Sequence, residues 1–252
     1  MKLYSRQMGK GEPLLILHGL FGISDNWLSI ARQLAQSHHC YILDMRNHGR
    51  SPHSPDLNYD DMIEDIYEFL TDFRLRKVSI LGHSMGGMTA MKFAFEYPHR
   101  LDKLIVVDIA PKTYPVIHQD IIRGLVSIPL NTIKSRKEAD NYLKEYVPSS
   151  RIRQFLLKNL RRQEDQSYAW RINLDAIQGH ASSIGQGISG DYSYDQPALF
   201  IRGGDSNYIM DEDIPRIQKI FSDVSIVTIP GASHWVHAEK PEEFITAAQT
   251  FL

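Results

Sequence analysis

Six short apolar runs, separated by segments of helical periodicity, constrain this chain more than any other feature. They are "PLLILHG" (13–19), "CYILD" (40–44), "KVSILGHS" (77–84), "LDKLIVVDIA" (101–110), "PALFIRGG" (197–204) and "SIVTIPGASH" (225–234). None alternates strictly between apolar and polar residues. Strands of that kind are covered on both faces, as in a parallel sheet. Between them lie amphipathic stretches. In 58–73, Met62, Ile63, Ile66, Tyr67, Leu70 and Phe73 share one stripe, with Asn58 placed as N-cap and Asp60 and Asp61 in the first turn. The last helix starts at Pro241, a favoured first helical position, followed by Glu242 and Glu243. Strand–helix–strand alternation predicts an α/β fold, a mostly parallel central sheet with helices on both faces. A length of 252 residues suits one such domain.

Residues 111–190 break the rhythm. They hold no convincing strand but several helix signals: Ile117, Ile121, Ile122 and Leu125; a capping box from Ser135 to Glu138; then Ile152, Phe155, Leu156 and Leu160. About 80 residues exceeds what a crossover between parallel strands needs. The expectation is a core of 1–110 and 191–252 with an inserted helical cap, 111–190, over one end of the sheet.

Composition removes several function classes. Lys plus Arg is 28 and Asp plus Glu is 30, a formal charge of −2. That balance gives no footprint for nucleic acid or an anionic membrane. The one cysteine, Cys40, excludes an internal disulfide framework and falls within an apparent buried strand. The start, "MKLYSRQMGKGEP", lacks the apolar stretch of a signal peptide. No apolar run approaches the ~20 residues of a spanning helix. A cytoplasmic protein, monomeric or a small homo-oligomer, is expected. Eleven histidines show neither an H-E-x-x-H pattern nor clustered His/Cys spacing, so no metal and no cofactor is expected.

The chemistry is signalled at residues 82–86, Gly-His-Ser-Met-Gly. A G-x-S-x-G at a strand-to-helix turn is the setting that exposes a serine hydroxyl at the carboxyl edge of a sheet. Glycines at 82 and 86 remove side chains that would collide with so sharp a turn. Ser84 is the candidate nucleophile. Its base should be a histidine late in the chain, after the last strand. His234, in "SIVTIPGASHWVH", has that setting. The oxyanion donors should be backbone N–H groups: Met85, directly after the nucleophile, and Leu20 in "LILHGLFG", with Phe21 one residue away. His18 reads as a structural histidine bonded within that loop.

With these landmarks in order ("LHGLFG", "DMRNHGRS", "GHSMGG" and "GASHWVH"), the chain resembles the α/β-hydrolase family over nearly its whole length. Within it, "HGLFGISDNW", "DMRNHGRSPHS", "GHSMGGMTAMKFA" and "VVDIAP" resemble YbfF-like esterases and their mitochondrial relatives. The resemblance implies hydrolysis of acyl esters and thioesters through a serine and an acyl-enzyme. It also implies a triad acid after the penultimate strand, and there the chain departs from pattern. Measured from Gly203, the acid position falls on Ser206 rather than Asp205. Asp108 ends "LIVVDIAP", 24 residues beyond Ser84, where a carboxylate inside a buried sheet requires a strong reason. The expectation is that Asp108 orients His234, that Ser206 adds a hydrogen bond to the same network, and that Asp205 is the alternative acid. The "DMRNHGRS" loop, with Asp44, Arg46 and Asn47, reads as architecture.

The substrate is expected to be a small acyl ester or thioester of short to medium chain, in a pocket walled by Ile117 to Leu125 and Phe155. A basic stretch taken as helix 150–162 (Arg151, Arg153, Lys158, Arg161, Arg162) would attract an anionic leaving group such as coenzyme A. Rival readings on the same fold are a lyase of the menaquinone-pathway type, a carbon–carbon bond hydrolase, and an inactive scaffold protein. Dehalogenase and epoxide-hydrolase chemistry would need an aspartate where Ser84 stands.

Overall fold

Six of the nine strands among the described residues form where the apolar runs predict them. In the computed structural model, which describes residues 1–115 and 118–252, the nine are β1 Ser5–Met8, β2 Glu12–Leu17, β3 His38–Leu43, β4 Val78–His83, β5 Leu101–Val107, β6 Leu160–Arg162, β7 Tyr168–Trp170, β8 Ala198–Gly203 and β9 Val224–Ile229. Seven of them build one sheet, in the order β1-β3-β2-β4-β5-β8-β9. Every pairing in it is parallel except β1 with β3, which is antiparallel. β1 escaped the sequence reading because "SRQM" is short, polar and at an edge.

Both faces of the sheet are buried, and the strands' two-residue period divides the core. Leu14 and Ile16 join Trp27, Ile30, Leu34 and Phe244 on one face. That side is covered by α1 Leu28–Leu34 and α11 Pro241–Phe251. Leu15 and Leu17 join Met62, Ile66, Met88 and Met91 on the other, under α2 Tyr59–Asp72 and α3 Met85–Glu96. Each such leucine, fully buried, contributes about 1.5–3 kcal/mol. Cys40 is a free, buried thiol in β3, and burial pushes its pKa up to about 11. Asn58 caps α2 by accepting from the Asp61 N–H, and Pro241 opens α11. The remaining core helices, α9 Ile214–Ile220 and α10 Val236–Glu239, follow β8 and β9.

Between β5 and β8 run α4 Gln119–Val126, α5 Arg136–Lys144, α6 Ser150–Leu157, α7 Leu174–Gly179 and α8 Ala181–Ile184. Ser135 caps α5 through the Glu138 N–H, while the Glu138 carboxylate reaches the Lys134 N–H at 2.9 Å. The expectation of a strandless insertion is corrected here. β6 and β7 pair as an antiparallel ribbon, Leu160 opposite Trp170. α6 therefore ends at Leu157, and Leu160, Arg161 and Arg162 lie on the ribbon. Two three-residue strands joined by a turn leave too little pattern to be read from sequence. Ile117, expected in the pocket wall, lies outside the described residues. No helix among those described is long and apolar enough to cross a membrane.

Candidate active site

Adjacent parallel strands β4 and β5 end side by side, and each delivers one polar residue from its carboxyl end. Ser84 follows β4 with φ 53° and ψ −119°, a backbone that α3 immediately turns away from. The glycines make the turn feasible: a Cβ at Gly82 would meet the Gly86 carbonyl at 2.3 Å, and one at Gly86 the Leu17 carbonyl at 2.6 Å. Asp108 follows β5 with φ 50°. It is wholly buried, and its N–H stays in the ladder, donating to the Ile201 carbonyl at 2.8 Å. Non-glycine residues in this region are strained, and strain held in place by surrounding structure collects at functional sites.

His234 arrives on the loop after β9 and spans the two. Its Nδ1 lies 2.8 Å from Asp108 Oδ2, and its Nε2 lies 3.0 Å from Ser84 Oγ. Asp108 also accepts from the Gly203 N–H at 3.0 Å and from the Ser206 hydroxyl at 2.5 Å. A carboxylate can only accept, so Nδ1 carries the imidazole proton and Nε2 faces Ser84 with a lone pair. Burial pushes the Asp108 carboxyl up to about 6, while the Ser206 and Gly203 donors pull the other way. Burial pushes the His234 imidazole down to about 3, with His118 adding to the fall and Glu239 opposing it. Near pH 7 the pair therefore rests as carboxylate and neutral imidazole, the state a general base requires. Asp205, the alternative acid, is exposed, and its N–H is used by the Ala232 carbonyl at 2.9 Å. The one-residue shift that puts Ser206 in register also turns Asp205 out of the site.

The two candidates in the loop after β2 differ in their surroundings. The Phe21 N–H donates to His48 Nε2 at 3.3 Å, and Phe21 has φ 62°. Leu20 lines the cavity above Ser84 on both sides, and Met85 opens α3, where backbone N–H groups converge. His18 bonds within the fold as expected: Nδ1 donates to the Gly19 carbonyl at 2.8 Å and Nε2 accepts from the Met45 N–H at 3.0 Å. Burial holds it neutral, with a pKa of about 4. Asp44, Arg46 and Asn47 likewise point inward, Asp44 accepting from the Ser24 and Arg50 N–H groups, Arg46 pairing with Asp65 at 2.6 Å and Asn47 bonding the Asp56 carbonyl.

Two clefts meet at Ser84. One is bordered by Phe21, Trp27, Ile121, Ile152, Phe155, Leu156, Trp235 and His237. The other is bordered by Tyr59, Met85, Met88, Ile109, Tyr114, Ile122, Ala181, Ile184 and Tyr208. Leu20, Ser84 and His118 border both. Sequence reasoning missed His118, Tyr114 and Tyr208. The last two sit in ordinary loop sequence, and only the fold brings them to Ser84. Among the described residues no group of three or more His, Cys, Asp or Glu side chains is arranged to hold a metal ion.

Comparison with known proteins places this geometry in context. A family model described as the alpha/beta hydrolase fold matches residues 12–241. The chain is 42% identical to a Danio rerio protein named sn-1-specific diacylglycerol lipase ABHD11, over 97% of this chain and 80% of that one. It is 34% identical to Esterase YbfF of Escherichia coli (strain K12), over 96% and 93% of the two chains. A solved structure titled "Marine microorganism esterase" superposes with a TM-score of 0.97 at 47% identity, covering 100% of both chains.

Proposed function

The chain belongs to the α/β-hydrolase family and is a carboxylic ester hydrolase, and we propose that it works through a Ser84–His234–Asp108 triad and an acyl-enzyme on esters of short- to medium-chain acids. The observation that carries this reading is the unbroken line from Ser84 Oγ to His234 Nε2 at 3.0 Å and from His234 Nδ1 to Asp108 Oδ2 at 2.8 Å. Ser84 attacks the ester carbonyl carbon as His234 takes its proton. The resulting oxyanion rests on the Leu20 and Met85 amides, each contributing roughly 3 kcal/mol of transition-state stabilisation. The carbon–oxygen bond to the alcohol then breaks, and His234 returns the proton to the leaving oxygen. Water, deprotonated by the same imidazole, releases the acid. Asp108 stays ionised throughout and stabilises the imidazolium, with the Ser206 hydroxyl as an additional donor to the carboxylate.

Two largely apolar clefts on either side of the nucleophile suit an ester with an apolar group on each side of its carbonyl. The relative named as a diacylglycerol lipase supports the same preference for neutral esters. We take 111–190 as the cap that walls those clefts and 1–110 with 191–252 as the core. Acyl-coenzyme A has thinner support. Arg153 is buried and paired with Asp140 at 2.7 Å, and Arg151 lies 3.3 Å from Glu239. Only Lys158, Arg161 and Arg162 of the basic stretch remain as exposed cations without such a partner among the ion pairs of the described residues. If they recruit coenzyme A, raising salt lifts KM for an acyl-coenzyme A and leaves neutral esters nearly untouched.

The decisive experiment is hydrolysis of p-nitrophenyl esters from acetate to palmitate by wild type and Ser84→Ala, with a fluorophosphonate probe in parallel. Turnover and labelling that both vanish in the variant support the reading. Turnover that survives Ser84→Ala overturns it.

A further inference from the structure

The imidazole of His234 has an aromatic ring laid flat against it. Tyr208, in the loop after β8, stacks on it with ring centroids 3.6 Å apart and planes 15° from parallel. Both ends of Tyr208's own backbone are tied to the strand that carries the acid. Its N–H donates to Ser206 Oγ at 3.2 Å, and that hydroxyl donates to Asp108. Its carbonyl accepts from the Tyr114 hydroxyl at 2.6 Å, which in turn accepts from the Ala110 N–H at 2.8 Å. The Tyr114 ring backs the Tyr208 ring at 5.3 Å and 28°. Trp235 meets the imidazole edge-on, at 5.5 Å and 71°. One face of the base is therefore covered by a supported aromatic stack, and Trp235 closes on it edge-on.

We propose that Tyr208 is a positioning residue for the base: its ring face fixes the plane of His234 and stabilises the imidazolium formed when Ser84 gives up its proton. The inference rests on the triad reading above and adds a residue to it. An aromatic face carries the negative part of a quadrupole and attracts a cation placed over it. The neutral imidazole of the resting enzyme gains little from that attraction, whereas the imidazolium of the transition state gains all of it. A contact stronger in the transition state than in the ground state raises kcat. For a desolvated ring–cation pair, cation–π strength corresponds to about 3- to 30-fold in rate.

The same attraction has a pH signature. A ring that favours the charged imidazole raises its basicity, so removing the ring moves the acid limb of kcat/KM to lower pH. The titratable and charged groups facing His234 are Asp108 from β5, His83 from β4, His118 before α4, and His237 and Glu239 from α10. None of these is itself replaced by a change at position 208.

The test compares Tyr208→Leu and Tyr208→Met, which fill space without a ring face, with Tyr208→Phe, which keeps the face and loses only the hydroxyl. The expected result is a fall of about 3- to 30-fold in kcat for the Leu and Met variants. KM should change less than kcat, the acid limb should move down in pH, and Phe should restore both rate and limb. Two aliphatic variants keep the test alive should one fail to fold. An unmoved or rising acid limb, kcat within about 2-fold of wild type in the folded aliphatic variants, or a Phe variant as damaged as Leu overturns the proposal. Failure of the premise reads differently: turnover would survive His234→Ala or Ser84→Ala with Tyr208 intact.

Discussion

The sheet edge and the insertion above it hold one site by different means. At the sheet edge, Ser84 and Asp108 each leave a buried strand with positive φ, and the ladder over-determines both: the Ser84 N–H donates to the Val107 carbonyl at 3.0 Å and the Asp108 N–H to that of Ile201 at 2.8 Å. The insertion meets the core partly through scattered polar tethers. Asn159 Nδ2 donates to the Phe21 carbonyl at 2.7 Å, the Asn173 N–H to the Asn47 carbonyl at 2.8 Å, and the Tyr59 hydroxyl to the Ile184 carbonyl at 2.7 Å. Strain of about 1–3 kcal/mol per residue can be carried by a seven-stranded sheet. The insertion has positive-φ residues of its own, His118 at 84° and Gln166 at 70°, but neither leaves a strand of that sheet. On the proposed mechanism the nucleophile and the acid leave the sheet directly, the base comes from the loop after β9, and the insertion shapes what reaches them.

Substitutions at the sheet edge should therefore cost most. Ser84→Ala or His234→Ala is expected to lower kcat by about 10⁶-fold. Asp108→Asn should cost about 10⁴-fold, because the amide offers a donor where the imidazole needs an acceptor. Asp205→Asn, at an exposed position, should cost about 2-fold at most. Steady-state kinetics on one p-nitrophenyl ester ranks all four, and a collapse at Asp205 with Asp108 tolerant would reverse the assignment of the acid.

The pH profile sharpens the same point. Burial raises Asp108 to about 6 and lowers His234. The dyad accepts a proton as pH falls through about 6, and the protonated dyad has no base, so kcat/KM should be flat above pH ~7 and fall below ~6. A profile whose acid limb lies above pH ~7 would show instead that the Asp108 carboxylate outweighs burial and lifts the imidazole above its ordinary value near 6.5. Stability follows the neighbouring histidines. His18, His48 and His83 are buried neutral, lowered by burial to about 4, 3 and 3. Their folded values lie below the unfolded value near 6.5. Their contribution is whole above pH ~6.5 and is lost as pH falls toward those values. Acid titration followed by circular dichroism should show stability declining from pH ~6.5 downward, well above the ordinary carboxylate range.

The same contrast explains what the sequence could disclose. The sheet edge was legible because its chemistry forces its pattern. A serine between glycines after "KVSIL" and an aspartate after "LIVV" have no cheap structural explanation. Even the register shift at Ser206 could be read, since glycine 203 marks the strand exit. The insertion was legible only as helices. Its ribbon is two three-residue strands, too short for a period to show. Arg153 looked like a surface cation because a basic run says nothing about Asp140 thirteen residues upstream. Tyr208 and His118 carry no local signal at all; their positions depend on how loops from distant strands converge.

Next in expected size is the tether from the insertion to the oxyanion loop. Asn159 is buried, and its Nδ2 also reaches the Leu156 carbonyl at 3.2 Å. Asn159→Ala leaves the Phe21 carbonyl unsatisfied, at a cost of about 1–3 kcal/mol in stability. Because Phe21 neighbours Leu20, kcat should fall by about 10-fold, a fraction of one oxyanion donor, while KM stays near wild type. An equal rise in KM would mean that the tether shapes the cleft rather than the donor.

The smallest effects belong to the cleft walls, and they assign the two clefts. Phe155 borders only the first, and Ile122 only the second. Truncating either to alanine enlarges one cleft without touching the sheet. A methylene in an apolar pocket is worth about 1–3 kcal/mol, so each truncation should change the preference between ester chain lengths by about 10-fold and leave the best substrate's kcat nearly intact. The variant that moves the optimum toward longer acyl chains marks the acyl cleft. The other should respond instead to the size of the alcohol at constant acyl length. If both variants shift the acyl optimum equally, the clefts act as one chamber, and the division at Leu20, Ser84 and His118 is a constriction the substrate does not respect.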